Sequence, residues 1–202
     1  MHRGIAAAAL AMAGTMAAAA CPQAADLSEG IHVGYDDDSV TRYYSTVPGE
    51  VIEDTLFTDG SGSRFVVATL SGLFELSFLN VPGGDPDQQS REVTAYASDL
   101  RSELPLRAGQ RIGTTATTTY ADGSMLREAY DVEVASAPDI AIGDCRYAAL
   151  EVRHTFTSTE GVFGILQRYL PELGIAIYDG TTASSGAEPV SYEALWISDR
   201  AR

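Results

Sequence analysis

Few residues in this chain have side chains suited to catalysis. Its 202 residues include three histidines, two cysteines and no lysine. Without lysine there is no Schiff-base chemistry and no Walker-A phosphate loop. Zinc needs several His or Cys ligands at short spacing. Neither His32 nor His154 has such a neighbour, and His2 lies in the leader-like start. A Ser-His-Asp hydrolase would have to be assembled without a Gly-x-Ser-x-Gly elbow, because none occurs. Gly60 and Gly62 begin a dinucleotide-like spacing, but Phe65 stands where the third glycine belongs and no βαβ pattern surrounds it. No catalytic residue, cofactor site or metal site is assigned on these grounds.

The remaining candidates each have a plain structural reading beside the chemical one. His154 falls in the alternation Leu150, Val152, His154, Phe156. It therefore shares a strand face with apolar residues, either as a base in an apolar pocket or as a hydrogen-bonded core histidine, the favoured reading. Asp36-Asp37-Asp38 is the densest acidic run. Counted from Asp36, the calcium-loop glycine and glutamate positions hold Thr41 and Val47, so an EF-hand is excluded. A solvated turn is the default there, with non-EF calcium binding at Asp36–Asp38 or at Asp85 and Asp87 as the sharper alternative. Two carboxylates across a cleft would suit a glycosidase, but 28 acids make such a pair expected by chance. Of Tyr43-Tyr44, one ring is a candidate pocket wall. Trp196, between Leu195 and Ile197, is expected to pack.

Arg3, the apolar run from Ile5 to Ala13 and the small residues of 16–20 make residues 1–20 a secretory signal peptide. The remainder, 21–202, is expected to form a single β-rich domain. It contains no segment of transmembrane length, which needs about 20 apolar residues. The formal charge of −15 argues against nucleic acid and anionic lipid as partners. Cys21 admits two main readings. A disulfide to Cys145 suits an exported chain and closes a loop long enough to contribute about 4–5 kcal/mol in the chain-entropy model. Alternatively, Ala18-Ala19-Ala20-Cys21 resembles a bacterial lipobox, with Cys21 lipidated and Cys145 left free. Two free thiols are the third possibility.

The elements that must position these groups read as short strands. Val40–Ser45, Val51–Phe57, Arg64–Leu70 and Leu73–Leu79 are rich in β-branched and aromatic residues and separated by Pro48-Gly49, Asp59-Gly60 and similar turn pairs. Phe74, Leu76 and Phe78 are expected on one face, with Glu75 and Ser77 opposite. Val93, Tyr96, Ala97, Leu100 and Leu104 follow helical spacing, which predicts a helix over 89–103 stopped by Pro105. A hairpin follows, with arms Arg111–Tyr120 and Met125–Ala135. Ile140–Ile142, Cys145–Thr157, Gly161–Leu170, Gly174–Tyr178 and Tyr192–Ser198 complete the set, with a loop over Thr181–Pro189. The fold class is mainly β: a strongly curved antiparallel sheet, half-barrel or barrel-like, with one helix packed on it.

Several segments carry a resemblance. Cys21-Pro22 precedes Ala25-Asp26-Leu27 and Gly30-Ile31, and Pro105-Leu106-Arg107-Ala108-Gly109 opens a strand. Gly143-Asp144-Cys145-Arg146-Tyr147 and Tyr169-Leu170-Pro171-Glu172-Leu173-Gly174 follow. This arrangement resembles uncharacterised exported β-rich envelope proteins of alphaproteobacteria, whose shape is similar to the curved half-barrel of periplasmic lipoprotein carriers. The resemblance implies a fold and a compartment and transfers no catalytic residue.

Together these readings point to a non-enzymatic periplasmic protein that binds a hydrophobic small molecule or an envelope partner protein. The alternative location is the membrane, through a lipidated Cys21. The competing class is a carboxylate-dependent hydrolase acting on polysaccharide or peptidoglycan.

Overall fold

The computed structural model describes residues 21–159, 161–183 and 188–200. The expected signal peptide, residues 1–20, lies outside them. The first half of the chain forms β1 (Ile31–Tyr35), β2 (Ser39–Tyr44), β3 (Glu50–Phe57), β4 (Arg64–Leu70), β5 (Phe74–Asn80), β6 (Glu92–Tyr96) and β7 (Arg111–Tyr120). The second half forms β8 (Met125–Ser136), β9 (Ile140–Ile142), β10 (Cys145–Tyr147), β11 (Leu150–Ser158), β12 (Gly161–Leu170), β13 (Ile175–Ala183) and β14 (Ala194–Ser198). Twelve strands form one antiparallel sheet in the order β13-β12-β11-β8-β7-β6-β5-β4-β3-β2-β1-β14, and β9 pairs with β10 alone.

The sheet winds further than a half-barrel. The stretch before β14 docks on β13. Gly180 bridges Ser191, the Thr181 N–H donates to the Val190 carbonyl, and the Tyr192 N–H donates to the Asp179 carbonyl. Asp36 and Glu193 tie the same seam from the β1 side, the Asp36 N–H donating to the Glu193 carbonyl and the Glu193 N–H to Asp36 Oδ1. The result is a nearly closed barrel. A Cβ at Gly180 would overlap the Val190 carbonyl, so glycine is what lets the two edges meet.

The helix expected over 89–103 is absent. That segment is a 3-10 turn at Gln88–Ser90, strand β6, and a second 3-10 turn at Leu100–Glu103. Pairing overrides the helical spacing: β6 fills the gap between β5 and β7, with Thr94 opposite Thr118 and Tyr96 opposite Ala116. Val93 and Thr94 are β-branched, and Thr94 is buried while Val93 is exposed, which is two-residue alternation. Asp87 and Asp99 accept N–H bonds from Gln89 and Arg101 and hold the two short turns. The strand expected over Cys145–Thr157 breaks between β10 and β11, and β13 runs on into the predicted loop as far as Ala183.

One end of the barrel is closed. Ile31, Val51, Ile142, Leu170, Leu173 and Ile175 form a buried cluster there, and the β9–β10 hairpin folds over it. Cys21 is disulfide-bonded to Cys145 across a sequence separation of 124, with the Cα atoms 5.5 Å apart. The Tyr147 hydroxyl donates to the Pro22 carbonyl beside it. A second cluster, built on Leu73, Phe74, Leu106, Tyr130, Val132 and Val152, continues this floor under β5, β7, β8 and β11. Among the described residues no helix is long and apolar enough to cross a membrane.

Candidate functional site: the barrel interior

Strand alternation sends every second residue inward, and above the floor the barrel encloses a cavity of about 380 Å³. That lies within the range of small-molecule sites, roughly 300–1,000 Å³. The wall from β2 to β5 is built in rungs. Thr41, Thr55 and Phe65 face one another in register, then Tyr43, Glu53, Val67 and Phe78. On the other wall Phe156 opposes Phe163, His154 opposes Ile165, and Val152 opposes Gln167, which in turn opposes Tyr178. Phe57, Phe65, Phe78 and Phe156 stand towards the open end, where the aromatic pairs Phe57–Phe65 and Phe65–Phe78 have ring centroids 6.2 and 5.7 Å apart.

The expectation for β5 was half right. A register shift between Ala68 and Thr69 puts Val67 opposite Phe78 but Thr69 opposite Glu75. This bulge turns both Glu75 and Phe78 into the cavity, although simple alternation places them on opposite faces.

Below the aromatic rim the lining turns polar. The Tyr35 and Tyr43 hydroxyls are hydrogen-bonded at 2.9 Å, and Thr41 and Thr55 at 2.8 Å. The Tyr96 hydroxyl donates to the Glu75 carbonyl at 2.9 Å. His154 is buried, with its Nδ1 bonded to the Tyr130 hydroxyl and its ring stacked on Tyr130. Burial pushes the imidazole down to about 4, opposed in part by the Gln167 side chain. Gln167 acts on the ring from beside it, and His154 Nε2 and Gln167 Oε1 are both buried with no other partner.

Glu53 is the most perturbed acid. Desolvation raises its carboxyl to about 8; Thr69 opposes the rise and the nearby Glu75 adds to it. Its Oε1 is buried without a partner. Glu75 is raised as well, chiefly by burial and then by Glu92, against a long hydrogen bond from Thr94. Among the described residues no arginine lines the cavity, and its acids are Asp37, Glu53 and Glu75. The arginine ion pairs, such as Arg64–Asp54 at 2.6 Å and Arg168–Asp179 at 2.8 Å, involve residues outside the lining.

The residues singled out in the sequence are dispersed. His154 and Tyr43 reach the cavity, while Tyr44 lies outside it under the Arg42 guanidinium. His32, also outside it, is lowered first by burial and then by Arg42. Trp196 packs across Gly34, where any side chain would collide with its indole. The acidic run is a turn with each member engaged. Asp36 fastens the seam, Asp37 Oδ1 accepts from the Ser39 N–H and hydroxyl, and Asp38 takes a φ of 60° while its carbonyl accepts from Thr58. Asp87 caps its own 3-10 turn. Among the described residues no three His, Cys, Asp or Glu side chains converge as a metal site.

Glu53, Glu75 and Gln167 were not anticipated. The alternation Val51, Glu53, Thr55, Phe57 places an acid on an otherwise inward face, and that was the available signal for Glu53.

No protein family and no curated protein matches the chain. Among solved structures it is similar to a hypothetical lipoprotein, YmcC, from Escherichia coli K12, with 13% identity, a TM-score of 0.46, and coverage of 86% of this chain and 89% of that one.

Proposed function

We propose that the protein is a non-enzymatic binder of a hydrophobic small molecule with a polar end, working in the bacterial cell envelope. The observation that carries this reading is a set of buried polar atoms without partners at the base of an aromatic-rimmed cavity. Each such atom costs about 1–3 kcal/mol when left unmade. Folding alone would favour apolar side chains at Glu53, Gln167 and His154, so their retention fits a ligand that supplies the missing bonds. The exported character of the leader, the disulfide and the likeness in sequence to exported envelope proteins of alphaproteobacteria support the compartment.

A hydrolase reading has one specific observation in its favour: two raised carboxylates, Glu53 and Glu75, in one cavity. The closed floor argues against it. Cleavage in the middle of a polysaccharide or peptidoglycan strand needs a cleft open at both ends, and here the chain packs its core across one of them.

Binding is tested with Nile red, a neutral apolar dye whose fluorescence rises in apolar surroundings. The wild-type protein should take up the dye with saturation at one site. Val67→Trp, which fills the cavity from its wall, should lower uptake roughly tenfold while leaving the melting transition cooperative. Dye uptake unchanged by the bulky substitution would refute the cavity as the site.

A further inference from the structure

The unpartnered atoms of the cavity have a common property. Gln167 Oε1 is an acceptor, and Glu53 Oε1 is an acceptor once the carboxyl is ionised. His154 Nε2 becomes one too when Nδ1 carries the proton and donates it to the Tyr130 oxygen, an arrangement the observed contact permits. Among the described residues no cationic side chain lines this cavity. The ligand that such a lining complements brings donors and positive charge.

Resting on the reading of the barrel as a small-molecule binder, we propose that the ligand is a hydrophobic amine, whose ammonium group is held by Glu53 as counter-ion while its apolar body fills the aromatic rim. Two features of the lining converge on it. The cavity's ionisable acids are Asp37 at the mouth and Glu53 and Glu75 within, and no arginine or lysine opposes them. Tyr35, Tyr43, Tyr96 and Tyr130 line the same cavity, which suits a cation desolvated among aromatics. A fatty-acid carboxylate or phosphate would find acids and no cationic side chain among the described lining residues, and a plain alkane would leave the buried Glu53 and Gln167 oxygens unpaired.

Binding then exchanges a proton. The ammonium enters charged, the Glu53 carboxyl loses its proton to solvent, and an ion pair remains. The groups facing Glu53 are Tyr35 on β1, Tyr43 on β2 and Glu75 on β5, with Glu92 behind Glu75. On the far wall are Tyr96, Tyr130, His154 and Tyr178. Burial pushes the tyrosines up and His154 down, so none of these becomes a competing charge near neutrality, and Glu75, itself raised by burial, is a second acid close to Glu53.

The test is calorimetric titration with three probes of equal chain length: decylammonium chloride, decanol and sodium decanoate, each below its micellar concentration. Runs in phosphate and in MOPS at pH 7 count the protons exchanged. Decylammonium should bind tightest, release close to one proton, and weaken up to roughly tenfold per pH unit from pH 7 to 5. Glu53→Gln should reduce its affinity roughly tenfold or more and remove the proton release. Proton release in the wild type alone suffices if the variant is damaged. Decanol or decanoate binding as tightly as decylammonium, or binding of decylammonium without proton release, would overturn the amine and leave the cavity reading standing. Binding of none of the three would overturn both.

Discussion

Replacing Glu53 by glutamine should change how the ligand-free protein responds to pH, and the size of the change can be worked from the two buried groups of the cavity. Glu53 has a folded pKa raised to about 8 from 4.5. Between those values the folded state keeps a proton that the unfolded state loses, so stability falls as pH rises. His154 has a folded pKa lowered to about 4 from 6.5. Between those values the unfolded state binds the proton, so stability rises with pH. Each proton is worth about 1.4 kcal/mol per pH unit. The two slopes oppose one another from about pH 4.5 to 6.5, and only the Glu53 slope remains above that, costing about 2 kcal/mol by pH 8. Glu75, also raised, acts in the same direction as Glu53. The Glu53→Gln variant removes the falling arm and exposes the His154 arm, a rise of about 2–3 kcal/mol between pH 4.5 and 6.5. Urea unfolding at half-unit pH steps, under oxidising conditions, measures both curves. Subtracting one from the other cancels every group the substitution leaves alone. A difference curve that is flat from pH 4.5 to 8 would refute the reasoning.

Other perturbations have equally definite expectations. Tyr130→Phe takes the partner from His154 Nδ1 and should cost about 1–3 kcal/mol in urea unfolding; no loss would mean the contact carries nothing. Breaking the Cys21–Cys145 bond with Cys145→Ser should cost about 2–5 kcal/mol, seen as a lower Tm that reductant no longer shifts. An intact-mass measurement on protein from a periplasm-competent host reads the same residue directly. Cys21 in the bond gives a mass two hydrogens light, whereas acyl mass would establish lipidation. Gly180→Val forces Val190 off β13, and the amides of Thr181 and Tyr192 should then exchange faster than those of the β11–β12 ladder; equal protection would show that the seam tolerates a side chain.

The sequence made most of the barrel legible because strands with one buried face advertise it. Val152, His154 and Phe156 alternate and do all face inward, Val152 into the floor and the other two into the cavity. The hairpin around Asp122-Gly123 turns where its residues say, with the Asp122 carboxylate accepting from the Ser124 N–H. Two failures have a physical origin. The segment 88–103 has spacing compatible with either period, and only the flanking strands β5 and β7, which lie outside the segment itself, decide that it pairs. Glu75 enters the cavity through a bulge, which is one residue of register and leaves no trace in composition. The candidate site was less legible still. Its chemistry rests on atoms that lack partners, and what a side chain fails to touch becomes visible only once the walls are in place. The acidic run attracted notice by density, yet Asp36 serves the seam and Asp37 a turn at the mouth, whereas the isolated Glu53 lies deep in the cavity with a buried oxygen unpartnered.

The disulfide and the last strand have a joint geometric consequence. Cys21 sits against the floor through Cys145, and β14 runs down the wall so that Ser198 pairs with His32 at the same end. Both ends of the described chain therefore leave from beneath the cup. Anything attached at either of them, whether a resin, a fluorophore or a surface, holds the vessel by its base with the opening pointing away. Immobilised protein should accordingly load as freely as protein in solution, and a fusion partner at either terminus should not stand in the doorway.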